Sequence, residues 1–233
     1  MISVKNLTKS YGIQSALDNV SIDFYPGEIT AIMGPNGSGK STLLKTILGL
    51  VIPTSGDVLY DNVAVTGKFL YRKNLGYMPQ VPSFPPALKV KEVLKLINEL
   101  RNDYSPDETM AEYFGINQFI DKRISELSGG MKQRVSAAIA FMYSPKVIIL
   151  DEPGAGLDPL SSHVLSMKIQ EERQKKKTVI LTSHSLKEVS ELADRIIYLS
   201  EGKITFDKPF NEMNMELLFN YFKSDEAVGN EVL

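Results

Sequence analysis

Gly34-Pro35-Asn36-Gly37-Ser38-Gly39-Lys40-Ser41 fits G-x-x-x-x-G-K-[ST], and the residues around it leave that pattern one place in a fold. Before it, Ile29 to Met33 is an apolar run of strand length. After it, Thr42 to Leu48 carries apolar residues at i, i+1, i+4 and i+5, one face of a helix. Strand, glycine loop and helix in that order let backbone N–H groups curl around phosphates while the helix aims its positive end at them. The candidate phosphate-binding residues are Gly34, Pro35, Asn36, Gly37, Ser38, Gly39, Lys40, Ser41 and Thr42, with Lys40 expected to reach the outermost phosphates of a triphosphate.

The loop needs a sheet around it, and the rest of the chain supplies an alternating pattern. Val20, Ile22 and Phe24 against Ser21, Asp23 and Tyr25 read as a half-buried strand turned by Pro26-Gly27. Short strands are expected at Asp57–Tyr60 and Leu75–Met78. Prolines 79, 82, 85 and 86 then change the character of the chain, and Lys89 to about Tyr143 reads as several helices, so residues 82–143 are taken as a helical insertion. Val147 to Leu150, continuously apolar, is expected to be a central parallel strand. A helix over 160–176, a strand Thr178–Thr182, a helix over 185–192 and a hairpin at Glu201-Gly202 complete an α/β pattern.

The chain of 233 residues has room for one large domain, taken as 1–223, with an acidic tail, 224–233, expected to be loose. With 26 basic and 28 acidic residues its formal charge is −2, which gives no general pull toward nucleic acid or anionic lipid, so any anion must be held locally. The absence of cysteine excludes disulfides, thiolate nucleophiles and Cys-based metal sites in this sequence. No apolar run approaches the roughly 18 residues needed to span a bilayer.

Asp151 ends the apolar strand and Glu152 follows, placing one carboxylate where Mg²⁺ would sit, shared with Ser41, and a second where it can orient an attacking water. Leu127-Ser128-Gly129-Gly130-Met131-Lys132-Gln133 precedes a helix, so its glycines lie where N–H groups are bare. Alone, Ser-Gly-Gly is more often a cap and turn. Beside a phosphate loop it suggests a second nucleotide contact.

Phosphate loop, Leu-Ser-Gly-Gly, acid-terminated strand and a downstream His184 together resemble the nucleotide-binding subunit of an ATP-binding cassette (ABC) transporter, over Ile2 to about Asp207. The resemblance implies a P-loop NTPase ABC-ATPase fold: a RecA-like α/β core, an N-terminal antiparallel β-subdomain and the inserted helical subdomain. It implies ATP and Mg²⁺ as ligands and ATP hydrolysis as the reaction. By position, Tyr11 resembles the aromatic residue that stacks on adenine, and Gln80 the glutamine that touches Mg²⁺ and the attacking water. Asp158 resembles the residue that communicates across a dimer, and His184 the switch histidine at the γ-phosphate. Ser128, Gly129, Gly130 and Met131 would cover a partner's ATP, so the resemblance implies a homodimer or pseudo-symmetric dimer in which each chain completes the other's site. Glu152, His184, Gln80 and Lys40 are the implied catalytic set; Ser41, Gln80 and Asp151 the implied metal set.

Two positions depart from the family pattern: Met131, where Gln is common, and Gly154, where Thr is frequent. Neither removes a charge or donor assigned to ATP. A separate integral membrane permease is the implied partner, placing the chain in the cytoplasm on the inner membrane face, and Val81 to Pro86 is the candidate groove for a permease helix, with Phe84 at its centre. The compact chain looks more like ABC-2 export systems than sugar importers. The competing reading is a soluble ABC ATPase that drives an assembly process such as iron-sulfur scaffold maturation.

Overall fold

The computed structural model describes residues 1–101 and 106–213. The expected tail 224–233, and the domain end placed at 223, lie outside them. In chain order the elements are β1 (Ile2–Tyr11), β2 (Gln14–Phe24), β3 (Ile29–Met33), α1 (Lys40–Ile47), β4 (Ser55–Tyr60), β5 (Val63–Ala64) and β6 (Leu75–Met78). Then come α2 (Val90–Arg101), α3 (Thr109–Tyr113), α4 (Gly129–Phe141), β7 (Val147–Asp151) and α5 (Pro159–Gln174). The last are β8 (Thr178–Thr182), α6 (Leu186–Leu192), β9 (Arg195–Ser200) and β10 (Lys203–Pro209).

The strands form two sheets. One is antiparallel, ordered β2-β1-β4-β5, and the other is ordered β10-β9-β3-β8-β7-β6. In the larger sheet every pair from β9 to β6 is parallel, and only the β9–β10 hairpin is antiparallel. Its central strands β3, β7 and β8 are buried at all positions, which is why their sequences read as apolar runs rather than alternations.

Alternate side chains of those strands enter two different cores. Ala31, Met33, Ile148, Leu150, Val179 and Leu181 pack with the helices between β6 and β7 and with α5 and α6. Ile32, Val147, Ile149 and Ile180 pack with α1 and the antiparallel sheet on the other face. Three layers result: antiparallel sheet with α1, the parallel-cored sheet, and the remaining helices. Each fully buried Leu, Ile or Val contributes about 1.5–3 kcal/mol relative to exposure, so the central sheet is a rigid platform for whatever leaves its edge.

The N-terminal strand β1 escapes the period-2 reading because it is bulged. Its register against β2 shifts between Val4 and Leu7, where Asn6 adopts φ +48°. Lys5 and Asn6 are both exposed there, and inward alternation resumes out of phase at Leu7. The helical stretch is held down at one close approach: a Cβ on Gly76 of β6 would lie 2.0 Å from the Ala140 carbonyl oxygen of α4. Only glycine lets the α4 backbone settle onto the sheet edge at this point.

Candidate active site

Ligands of open α/β sheets gather at the carboxyl ends of the parallel strands. Here Ile32 sits beside Thr182, Thr182 beside Asp151, and Leu150 beside Met78. The loop 34–39, the 183–185 turn, the Asp151-Glu152 pair and Gln80 therefore all leave the sheet at one level.

The loop after β3 is built on close backbone approach. Gly34 has φ +142°, and a Cβ there would lie 1.9 Å from the Leu199 carbonyl oxygen. Gly39, left-handed, stands at the N-cap of α1 and makes no side-chain cap bond to it. Lys40 is buried and its Nζ donates to the Gly34 carbonyl at 2.6 Å and the Pro35 carbonyl at 2.8 Å. The Ser38 hydroxyl is buried without a hydrogen-bond partner in the structure. An orphaned hydroxyl and a glycine-capped helix start beside a buried ammonium suit an anion with several acceptor oxygens. Asn36, Gly37 and Ser41 are exposed and Thr42 half-buried, on the open side of the loop.

Opposite the loop, three strand ends converge on one carboxylate. Gln80 Nε2, after β6, donates to Glu152 Oε2 at 2.8 Å, and His184 Nε2, after β8, lies 2.6 Å from Glu152 Oε1. Glu152 itself has φ +50°, a left-handed backbone costly for a non-glycine residue. Its N–H is held by the Thr182 hydroxyl at 2.9 Å and the Thr182 carbonyl at 3.2 Å. That same hydroxyl donates to Asp151 Oδ1 at 2.7 Å. One buried threonine thus orients both acids, and the sequence reading gave it no role. A cleft of about 390 Å³ opens beside them, lined in part by Glu152, Gly154, His184 and Glu188.

Ser128 caps α4, its hydroxyl accepting from the Met131 N–H at 3.3 Å. Ser128 and Gly129 are exposed, while Met131 packs its side chain against the helical core. The bonds of this helix start run to neighbouring loops. Gln133 Nε2 donates to the Gln80 carbonyl at 2.6 Å, and Arg134 Nη2 to Asp158 Oδ2 at 2.5 Å. Asp158 also caps α5 by accepting from the Ser161 N–H and hydroxyl, and these bonds with Arg134 hold its carboxyl well below the ordinary carboxylate range. Gln133 was detectable as a polar residue on a stripe otherwise made of Ala137, Ala140 and Phe141. Tyr11 is half-exposed at the end of β1, one ring face covered by Lys9 Nζ at 5.0 Å from the centroid. Tyr11 apart, the expected site residues therefore fall into three groups: the loop with Lys40, the Gln80–Glu152–His184 cluster with Asp151, and the exposed start of α4 with Asp158.

A family model described as ABC transporter matches residues 17–155. The chain belongs to the ABC transporter family. The cassette is 36% identical over 229 residues to the lantibiotic transport ATP-binding protein SrtF of Streptococcus pyogenes, covering 94% of this chain and 96% of that protein. It is 33% identical to the Nod factor export ATP-binding protein I of Rhizobium etli, covering 100% of this chain and 72% of that one. Among solved structures, the ATP-binding subunit of an ABC transporter superposes with a TM-score of 0.87 at 26% identity, covering 96% of this chain and 99% of that one. A dimeric bacterial ABC transporter cassette gives 0.82 at 28% identity, covering 91% and 100%. The same figures hold for a dimeric post-hydrolysis cassette bound to ADP and phosphate. The cassette is thus an ABC-type ATPase, with the fold expected from its motifs. Among the described residues no helix is long and apolar enough to cross a membrane.

Proposed function

We propose that this cassette is the ATP-hydrolysing subunit of an export-type ABC transporter, working as a dimer on the cytoplasmic face of a membrane against a separate permease. The observation that carries the hydrolytic part is the grip on Glu152, whose two oxygens are engaged by Gln80 and His184 from neighbouring strand ends. A carboxylate offers about four lone-pair sites, and two bonds leave it able to accept a proton from water while its orientation stays fixed. Glu152 is then the general base or water-orienting group, Gln80 and His184 its positioners, with His184 on the side where a γ-phosphate would end. Lys40 and the N–H groups of the loop neutralise the phosphates.

The donor set also suits Mg²⁺, a hard cation that takes oxygen ligands and keeps part of its shell for phosphates. Ser41 and Asp151 would hold it, with the amide oxygen of Gln80, whose nitrogen is used on Glu152. Bound there, Mg²⁺ would neutralise part of the charge on the triphosphate.

Dimerisation is supported by the exposure of Ser128 and Gly129 at the start of α4, and by the dimeric solved relatives. Tyr11 would offer its uncovered ring face to adenine. Export is supported by the names of the relatives, lantibiotic transport and Nod factor export; the reading as a soluble assembly ATPase finds no support among them. Phe84 is half-buried against the helical core, whereas Val81 is 78% exposed directly after Gln80, so Val81 becomes the apolar group of this stretch best placed to meet a permease.

The test is Glu152→Gln, which keeps both hydrogen bonds feasible but removes the basic lone pairs. Turnover should fall by about 10²- to 10⁴-fold, with ATP binding retained and an ATP-dependent dimer accumulating in size-exclusion chromatography. Parent-rate hydrolysis by this variant would refute the assignment.

A further inference from the structure

Glu188, in the first turn of α6, lines the cleft and has no part in the hydrolytic assignment. Its sequence context, Ser185-Leu186-Lys187-Glu188, matches a helix capping box, in which the glutamate reaches back to the cap residue's N–H. Only half of that box forms. Ser185 Oγ accepts from the Glu188 N–H at 3.2 Å, but the Ser185 N–H goes to the Ser183 hydroxyl at 3.0 Å. The Glu188 carboxylate turns toward the site, where Oε2 accepts from the Ser183 hydroxyl at 2.5 Å. It also lies against the Gly154 backbone. The approach to that loop is close: a Cβ on Gly154 would lie 2.9 Å from Glu188 Oε1. Ser183 immediately precedes His184, and Gly154 follows Glu152 by one proline.

We propose that Glu188 is a positioning residue for hydrolysis: its carboxylate ties the turn after β8 to the turn after β7 and so sets how His184 meets Glu152. The inference rests on the reading of Glu152 and His184 as the hydrolytic pair. Both turns leave separate strands with no covalent reason to keep their side chains at 2.6 Å, and the Glu188 carboxylate, bonded to Ser183 and lying against Gly154, touches both. The arrangement is held against a cost. Burial pushes the Glu188 carboxyl above its ordinary value, and the charges of Glu152 and Glu191 push it the same way, with the Ser183 and Gly154 bonds opposing. Gly154, one of the two departures from the family pattern, leaves this carboxylate the space that a side chain would enter.

The experiment compares steady-state ATPase kinetics of the full chain with those of Glu188→Ala, Glu188→Gln, Ser183→Ala and Glu152→Gln, alongside their melting temperatures. Misplacing a reacting group by about 1 Å can cost on the order of 10²-fold. Glu188→Ala should therefore lower kcat by roughly 10- to 100-fold while KM for ATP stays within about twofold, because the phosphate loop is untouched. Ser183→Ala should move kcat in the same direction. Glu188→Gln, whose amide can still bond to Ser183 and lie against Gly154, should recover most of the rate. A Glu188→Ala protein with parent kcat, a matching rise in KM, or a Glu188→Gln protein no better than Glu188→Ala overturns the proposal. Glu152→Gln separates the two readings. If it hydrolyses at the parent rate the pair itself is misassigned, whereas if it stalls while Glu188→Ala does not, only the role of Glu188 fails.

Discussion

Thr182→Val tests the construction of the site without touching a group that meets substrate. The change is nearly isosteric and Thr182 is fully buried, so no cavity opens and the loss is confined to one hydroxyl. That hydroxyl makes two bonds, to Asp151 Oδ1 at 2.7 Å and from the Glu152 N–H at 2.9 Å. The N–H keeps a second acceptor in the Thr182 carbonyl at 3.2 Å, but Asp151 Oδ1 loses a buried donor. Hydrogen bonds to charged groups contribute about 1.5–3 kcal/mol, so the destabilisation should be about 2 kcal/mol. At roughly 2–4 °C per kcal/mol for a chain of this size, the melting temperature should fall by about 4–8 °C. Glu152 sits in a left-handed conformation secured partly by this bond, so kcat should also drop, on the order of tenfold, with ATP affinity nearly unchanged. Urea unfolding followed by circular dichroism, paired with a phosphate-release assay, reads both effects. Thr182→Ser keeps the hydroxyl and should retain the rate. A Thr182→Val protein that unfolds and hydrolyses like the parent would remove Thr182 as the organiser of the two acids.

Two further perturbations address the scaffold. Gly76→Ala places a Cβ 2.0 Å from the Ala140 carbonyl oxygen, which must push α4 off β6; a loss of about 1–3 kcal/mol is expected, with kcat reduced because Gln133 on α4 holds the Gln80 carbonyl, both read by melting and ATPase assays. On α5, burial pushes the Glu172 carboxyl up, but its bonds to Lys177 and Lys168 outweigh this and leave it below the ordinary 4.5. A depressed carboxyl contributes stability that is present above its unfolded value and lost as pH falls through the folded one. Glu172→Gln should therefore lower stability at neutral pH and flatten its acid decline below about pH 4.5; an unchanged pH–stability curve from urea midpoints would count against the ion cluster.

Much of this cassette was readable because its signals are local. The loop from Gly34 to Ser41 declares itself through glycine spacing between an apolar run and a helical face, since backbone geometry there depends on a few neighbours. Strands β6 and β8 fall where they were expected, because each is a short, mostly apolar segment with abrupt ends. Ser128 at the start of α4 and the hairpin at Glu201-Gly202 follow from cap and turn chemistry of the same short range.

What no window of the sequence contains is strand order. The chain runs β3, β6, β7, β8, but the sheet reads β3-β8-β7-β6. That order brings together Gln80, Glu152 and His184, the first two 72 positions apart and an entire helix–strand unit lying between the second and third. Thr182 reads as the last residue of a strand and Glu188 as half a cap; only when β7 and β8 pair in register does one become the organiser of two acids and the other a tie between two turns. Local sequence sets which backbone each segment can adopt, because dihedral preferences and periodicity act over a few residues. Which side chains meet is decided by how buried faces stack, a property of the whole chain at once.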